Sequence, residues 1–205
     1  MDVHLRRRSD GARELRVNGV FVMDDVETTS ERMLAEGVSG DVLVGGLGLG
    51  YTVRELLASE EVRSVTVAEL HAEVIDAVEL PADPRLSVEV GDVRDLVERQ
   101  PSGSLDAILL DVDNGPGFLV HEQNAALYED AFVGRCAEAL RSDGRLVIWS
   151  MADSPNVRGV LAAHFHEITV TEVPVRLQDR RESYWLLAGR GPGPQNSSDQ
   201  SISGI

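Results

Sequence analysis

Residues 42–51 read VLVGGLGLGY, an apolar run that breaks into glycines at Gly46, Gly48 and Gly50. A backbone without side chains lets a ligand approach its N–H groups, and a helix beginning there adds its dipole. The pattern asks for a nucleotide or nucleoside. Two acids further along suit the same ligand. Glu69 stands 19 residues after Gly50. Its carboxylate offers two oxygens and no donor, which matches a pair of ribose hydroxyls. Asp92, in VEVGDV, supplies an acceptor for an adenine amino group. Asp111 and Asp113, in LLDVDNGPG, can meet a cation or take a proton. A dinucleotide fingerprint would put its third glycine at position 51, which is Tyr51 here. NAD would account for Glu69 but less well for Asp92.

These residues need a scaffold that brings them together. From residue 41 short apolar runs alternate with helical patterns: DVLVG, then YTVRELLAS, SVTVAEL, HAEVIDAVEL, RLSVEVGD, VRDLVERQ, LDAILLDVDNG, NAALYEDAFVGRCAEALR, GRLVIWSM and PNVRGVLAAHF. Such alternation predicts an α/β fold with a parallel sheet covered on both faces, and AILL fits a strand buried on both sides. NAALYEDAFVGRCAEALR is expected to be the longest helix. HEITVTEVPV and ESYWLLAGR are separated by too few residues for a crossover helix, so they predict an antiparallel pair. Ahead of the sheet, RELRVNGVFVM alternates around Asn18-Gly19, the signature of a type I′ hairpin, and ETTSERMLAEG predicts a helix closed by Gly37. In an open parallel sheet, ligands bind beyond the carboxyl ends of the strands. The glycine loop, Glu69, Asp92 and Asp111 all fall at such ends.

The G-x-G-x-G spacing resembles the cofactor loop of class I S-adenosylmethionine-dependent transferases. A closer resemblance runs from about residue 5 to 190 and is to the spermidine synthase family, the polyamine aminopropyltransferases. It is carried by RELRVNGV, ERMLA, the glycine loop followed by RELL, SVTVAELHAEVIDAV, DPRLSVEVGD, LDAILLDVDNGPG and LYEDAFVGRCAEALRSDGRLVIWS. It implies a Rossmann-like class I methyltransferase fold: a mostly parallel seven-stranded sheet, a C-terminal antiparallel strand pair and a short N-terminal β-hairpin. Residues 1–37 are expected to hold the hairpin and helix, 38–190 the S-adenosylmethionine-binding domain, and 191–205, rich in Gly, Pro and Ser, a disordered tail. The cofactor implied is S-adenosylmethionine or its decarboxylated form, held by Gly46, Gly48, Gly50, Glu69, Asp92 and Asp111.

The resemblance also marks departures. The family places an acid inside the glycine loop, where this chain has Leu49. It places two more in an Asp-Ser-Ser-Asp-Pro stretch, which here is Asp111-Val112-Asp113-Asn114-Gly115. The first acid is kept as Asp111. The last, which in the family helps to deprotonate the attacking amine, is Asn114, and asparagine cannot act as a base. The family's Tyr-His pair is Ser30-Glu31 here. A missing carboxylate at 49 relieves repulsion toward a donor that keeps its own α-carboxylate. The sequence reading therefore puts methyl transfer from S-adenosylmethionine to a small molecule first. Aminopropyl transfer in polyamine synthesis is the alternative, and a catalytically silent nucleoside-binding scaffold the second alternative. Asp111 and Asp113 are the candidate catalytic residues. Asn114, Phe118 and Trp149 are the candidate substrate-binding residues, with Phe118 on a lid hinged at Gly115 and Gly117.

Composition narrows the partners. The chain has 205 residues, and its 19 basic residues, all arginine, against 35 acidic ones leave a net charge of −16. That field repels phosphate backbones, so no nucleic-acid partner is expected. No apolar run reaches membrane-spanning length and the N-terminus lacks a signal-peptide stretch, so a cytoplasmic enzyme is expected, with no membrane partner. The acceptor is expected to be a small molecule such as an amine. Cys136 falls in a helical pattern and reads as a core thiol. His164 and His166 lack further ligands nearby, and no metal is expected. A two-stranded hairpin is too small to stand alone, which points to a homodimer.

Overall fold

The computed structural model describes residues 2–112, 115–117, 119, 122–177 and 180–193. The chain opens with an antiparallel sheet of β1 (Val3–Arg7), β2 (Arg13–Val17) and β3 (Val20–Asp24). The expected hairpin is β2–β3: Asn18 and Gly19 take positive φ of 51° and 77° between paired Val17 and Val20. Strand β1 was not foreseen, because VHLRR offers only Val3 and Leu5 to a core; both pack from the sheet edge against it. Helix α1 (Thr29–Leu34) is shorter than ETTSERMLAEG suggested.

A seven-stranded sheet follows, built from β4 (Gly40–Gly45), β5 (Val62–Glu69), β6 (Leu86–Val90), β7 (Leu105–Leu110), β8 (Leu140–Ser150), β9 (Phe165–Leu177) and β10 (Arg180–Pro192). Its order is β6-β5-β4-β7-β8-β10-β9. Strands β4 to β8 run parallel, and β10 pairs antiparallel with both β8 and β9. This is the Rossmann-like methyltransferase fold that the sequence predicts.

Two layers of helices bury the two faces. The core on one face joins Leu15 of the N-terminal sheet and Leu34 to Val53 and Leu56 of α2 (Tyr51–Ala58) and Val74 of α3 (Ala72–Ala77). The other joins Leu96 of α4 (Val93–Glu98), Val133 and Cys136 of α5 (Asp130–Ala139) and Leu161 of α6 (Pro155–His164). The expected longest helix is in fact two pieces: a 3₁₀ segment, Glu122–Tyr128, then α5. Glu129 is extended between them, and Asp130 opens α5 where the helix dipole favours an acid. Cys136 is fully buried and burial pushes its thiol pKa up, so it is a core residue and not a thiolate. Among the described residues, no helix is long and apolar enough to cross a membrane. Of the tail expected at 191–205, Gly191 and Pro192 instead close β10 and Gly193 N–H bonds the His164 carbonyl at 2.8 Å, while 194–205 lie outside the described residues.

The strand order reverses between β4 and β7. A crevice outside the strand ends forms at such a switch point, and the glycine loop and Asp111 border it.

Candidate active site

The glycine loop links β4 to α2. Gly46 N–H donates to the Ala68 carbonyl at 2.9 Å, and Gly50, at φ 77°, caps α2. The bare positions have an explanation within the chain. Gly46 has φ 88°, and a Cβ there would overlap the Asp111 carbonyl oxygen. A Cβ on Gly48 would lie 2.6 Å from the Met23 sulfur. The same sulfur accepts the Leu49 N–H at 3.1 Å. Gly46 is thus required by the backbone that follows β7, and Gly48 by its φ of 52°, beside the flexible Met23 side chain of β3. Sequence reasoning assigned the open space at both to a ligand, and it missed Met23, whose contact comes from a distant strand.

Glu69 ends β5, buried beneath the loop. Its two carboxylate oxygens accept the Leu47 N–H and the His71 N–H, each at 3.0 Å. The side chain therefore ties the glycine loop to the entry of α3. A carboxylate has about four lone-pair sites, and two remain after these bonds.

Asp92 caps α4, accepting the Arg94 N–H at 2.8 Å. The Arg94 guanidinium also grips both its oxygens. That hydrogen bonding holds the Asp92 carboxyl below its ordinary range, against a smaller opposing effect of burial. Gly91 N–H donates to the Glu69 carbonyl at 2.9 Å, so the two acids stand at linked strand ends. An adenine amino group would have to share Asp92 with Arg94.

Asp111 follows β7, its N–H donating to the Gly45 carbonyl at 2.8 Å. Ala107 and Leu109 belong to the core that α1 covers, and the strand's alternation turns Asp111 the same way. On β8, Val147 and Trp149 share that face. Trp149 is 9% exposed, its ring tilted 52° at 4.8 Å from Tyr184 of β10. Its indole N–H is buried and meets no acceptor among the described residues. Trp149 thus reaches the strand-end region, as a wall backed by Tyr184.

Glu31, on α1, joins the same group. Ser30 Oγ donates to its carboxylate at 2.8 Å, and Thr52 Oγ1 donates to its carbonyl at 3.1 Å, which fixes α1 against α2. Burial raises its pKa, and Glu27 adds to the rise. Burial also raises Asp111, with the Glu31 charge second, to about 7. Asp111 keeps some surface, but neighbouring atoms enclose the carboxyl. Sequence reasoning read Ser30-Glu31 only as a lost motif. The available signal was a carboxylate at a helix start just ahead of the sheet. Asp113, Asn114 and Phe118 lie outside the described residues.

A cleft of about 800 Å³ opens at Glu27, between Arg176 of β9 and Arg181 and Glu182 of β10. None of its walls belongs to the glycine loop. Among the described residues no three His, Cys, Asp or Glu side chains cluster as a metal site. His164 instead bonds Asp130 at 2.8 Å.

No family model matches the chain. It is 32% identical over 122 residues to spermine synthase from Arabidopsis thaliana, which covers 56% of this chain and 32% of that protein. It is 30% identical over 152 residues to a polyamine aminopropyltransferase from Ruegeria sp. (strain TM1040), covering 62% and 51%. A polyamine aminopropyltransferase from Clostridium perfringens (strain SM101 / Type A) is 33% identical over 138 residues, covering 60% and 45%. The alignments thus span from about a third to about half of these relatives. A solved spermidine synthase in complex with the transition state analogue AdoDATO superposes with a TM-score of 0.74 at 20% identity, covering 91% of this chain and 69% of that one. Spermidine synthase from Thermotoga maritima gives 0.70 at 18%, covering 91% and 68%. At these identities the structural likeness concerns the fold.

Proposed function

The chain is spermidine synthase-like in sequence and fold, and on that basis we propose that it moves an aminopropyl group from decarboxylated S-adenosylmethionine to a small amine. The observation that carries this reading is Asp111 at the end of β7, its N–H bonded to Gly45 beside the glycine loop, with the Glu31 charge acting on it. A cationic donor without a carboxylate suits such a lining. A donor that keeps its α-carboxylate is repelled by it. At about 5 Å and an effective dielectric near 20, one such repulsion is about 3 kcal/mol. The sequence preference for methyl transfer rested on Leu49, but Glu31 returns a carboxylate to the site from α1. The curated relatives also support the aminopropyl alternative over methyl transfer.

The residues present fit the donor. Glu69 has two lone-pair sites free for the ribose hydroxyls. Asp92 faces the adenine amino group once Arg94 yields part of its grip. Asp111 attracts the positive end of the donor or of the acceptor. The donor supplies a sulfonium, which activates the carbon under attack and leaves as a neutral thioether. The protein's share is then orientation, exclusion of water and removal of a proton from the amine. Asp113 is a further candidate base by its place in the sequence. A homodimer through the N-terminal sheet belongs to the same reading, since β3 exposes Val20, Phe21 and Val22. A cytoplasmic setting also belongs to it.

Calorimetry on the full chain tests the reading. Decarboxylated S-adenosylmethionine and methylthioadenosine should bind, with S-adenosylmethionine at least about tenfold weaker, which corresponds to 1.4 kcal/mol. Tighter binding of S-adenosylmethionine would restore methyl transfer.

A further inference from the structure

This inference deepens the proposed function and rests on it. At neutral pH an alkyl amine arrives as an ammonium, and it attacks only after losing a proton. The site must therefore both attract the cation and accept that proton. Leu49 and Asn114 can do neither.

Four elements bring groups for this task to one region. Asp111 lies at the end of β7, Glu31 at the start of α1, and Trp149 and Tyr184 pack on one another on β8 and β10. Helix α1 packs against β8 and β10, and Asp111 follows Leu110, which pairs with Ile148 next to Trp149; the Glu31 charge acts on both Asp111 and Tyr184. The Trp149 indole N–H is a separate observation. It is a buried donor in this wall that finds no protein acceptor among the described residues. A buried polar atom left this way points to a ligand or water on the other side.

The charges that act on Glu31 are Glu27 and, in the opposite sense, Arg32. Glu27 precedes it, and Asp24 of β3 and Glu182 of β10 act on the same Tyr184. Arg8 takes up Asp24 at 2.8 Å. Arg32, the cation on its own helix, is turned to Glu55 at 3.0 Å and lies over the Tyr51 ring. Arg176 of β9 meets Glu27 through its backbone N–H. Glu31 is therefore left without a salt-bridge partner among the described residues, while its carboxylate is steadied by Ser30.

We propose that Glu31 and Asp111 act as one carboxylate pair that binds the acceptor's ammonium and takes its proton. The N–H bond breaks, and its electron pair stays on nitrogen. The proton is then held between the two carboxyls. The nitrogen forms its bond to the carbon beside the sulfonium as the carbon–sulfur pair returns to sulfur. The products are the neutral thioether nucleoside and a secondary ammonium. The Trp149 and Tyr184 rings wall the ammonium off from water on the sheet side.

The test is calorimetric titration of the full chain, saturated with methylthioadenosine, with 1,4-diaminobutane between about pH 6 and pH 9. Wild type, Glu31→Gln and Glu31→Asp are compared. Wild type and Glu31→Asp should bind within about threefold of each other, and Glu31→Gln at least about tenfold more weakly. In Glu31→Gln the pH midpoint of binding should fall, because Asp111 loses its charged neighbour. Equal diamine affinity in Glu31→Gln and wild type, or no diamine binding by wild type, overturns the inference. Equal methylthioadenosine affinity in the three chains shows that they are folded. If wild type does not bind methylthioadenosine, the aminopropyl reading fails by itself, and the same diamine titration on the free chain still decides the role of the pair.

Discussion

Replacing Glu69 by Gln changes one atom and should be costly on two counts. The carboxylate accepts two backbone N–H groups, from Leu47 and His71, at 3.0 Å each. An amide can turn its oxygen to only one of them. The other then faces an NH₂ donor while buried, a loss of about 1–3 kcal/mol, and the retained bond loses its charge assistance, about 1 kcal/mol more. The sum is about 2–4 kcal/mol. For a chain of this size each kcal/mol moves Tm by about 2–4 °C, so Glu69→Gln should melt about 4–16 °C below wild type. The variant also exchanges ribose acceptors for donors, and methylthioadenosine should bind at least about tenfold more weakly at a temperature where both chains are folded. Differential scanning calorimetry and isothermal titration measure the two effects. A melting point within about 1 °C of wild type would refute the bracing role of Glu69. A large melting shift with unchanged nucleoside affinity would leave Glu69 structural and remove it from the ribose site.

Three further outcomes are expected. Gly46→Ala combines a positive φ with overlap on the Asp111 carbonyl, so it should lose about 2–5 kcal/mol in denaturant unfolding; a neutral result contradicts the packing of β4 on β7. Asp92→Ala removes the α4 cap and should lose about 1 kcal/mol, whereas Asp92→Asn keeps most of that stability; if both retain wild-type methylthioadenosine affinity, Asp92 is a cap and not an adenine ligand. Asp111 has a folded pKa of about 7, above its ordinary 3.8, so its contribution favours the fold below about pH 4 and is lost as pH rises through about 7. Asp111→Asn should therefore be more stable than wild type at pH 8, by on the order of 1–3 kcal/mol after allowing for the surface the residue keeps, with the gain absent at pH 4; thermal melts at the two pH values check it.

Much of this fold was legible because local patterns and global topology agree. Asn18-Gly19 can hardly be anything but a tight hairpin turn, and AILL flanked by turn residues needs burial on both sides. The alternation of such runs with helical ones leaves few options besides a covered parallel sheet. What could not be read depends on contacts between distant segments. VHLRR becomes a strand because β2 is there to pair with it. The extended Glu129, between the 3₁₀ segment and α5, interrupts a pattern that runs on as one helix in the sequence. At the site, strand-end acids such as Glu69 stood out by position. Their hydrogen bonds did not: Asp92 is committed to Arg94, two residues on, and Met23 reaches the glycine loop from β3. Glu31 was hidden for the same reason. Only the packing of α1 against β8, β9 and β10 brings a helix-surface acid to the region that Asp111 borders.

The most direct measurement is product identification by mass spectrometry. The full chain is incubated with a panel of diamines and either decarboxylated or ordinary S-adenosylmethionine. The expected products are an N-aminopropyl diamine and methylthioadenosine, formed only with the decarboxylated donor. A methylated amine with S-adenosylhomocysteine, or no product from either donor, would contradict aminopropyl transfer at the glycine loop.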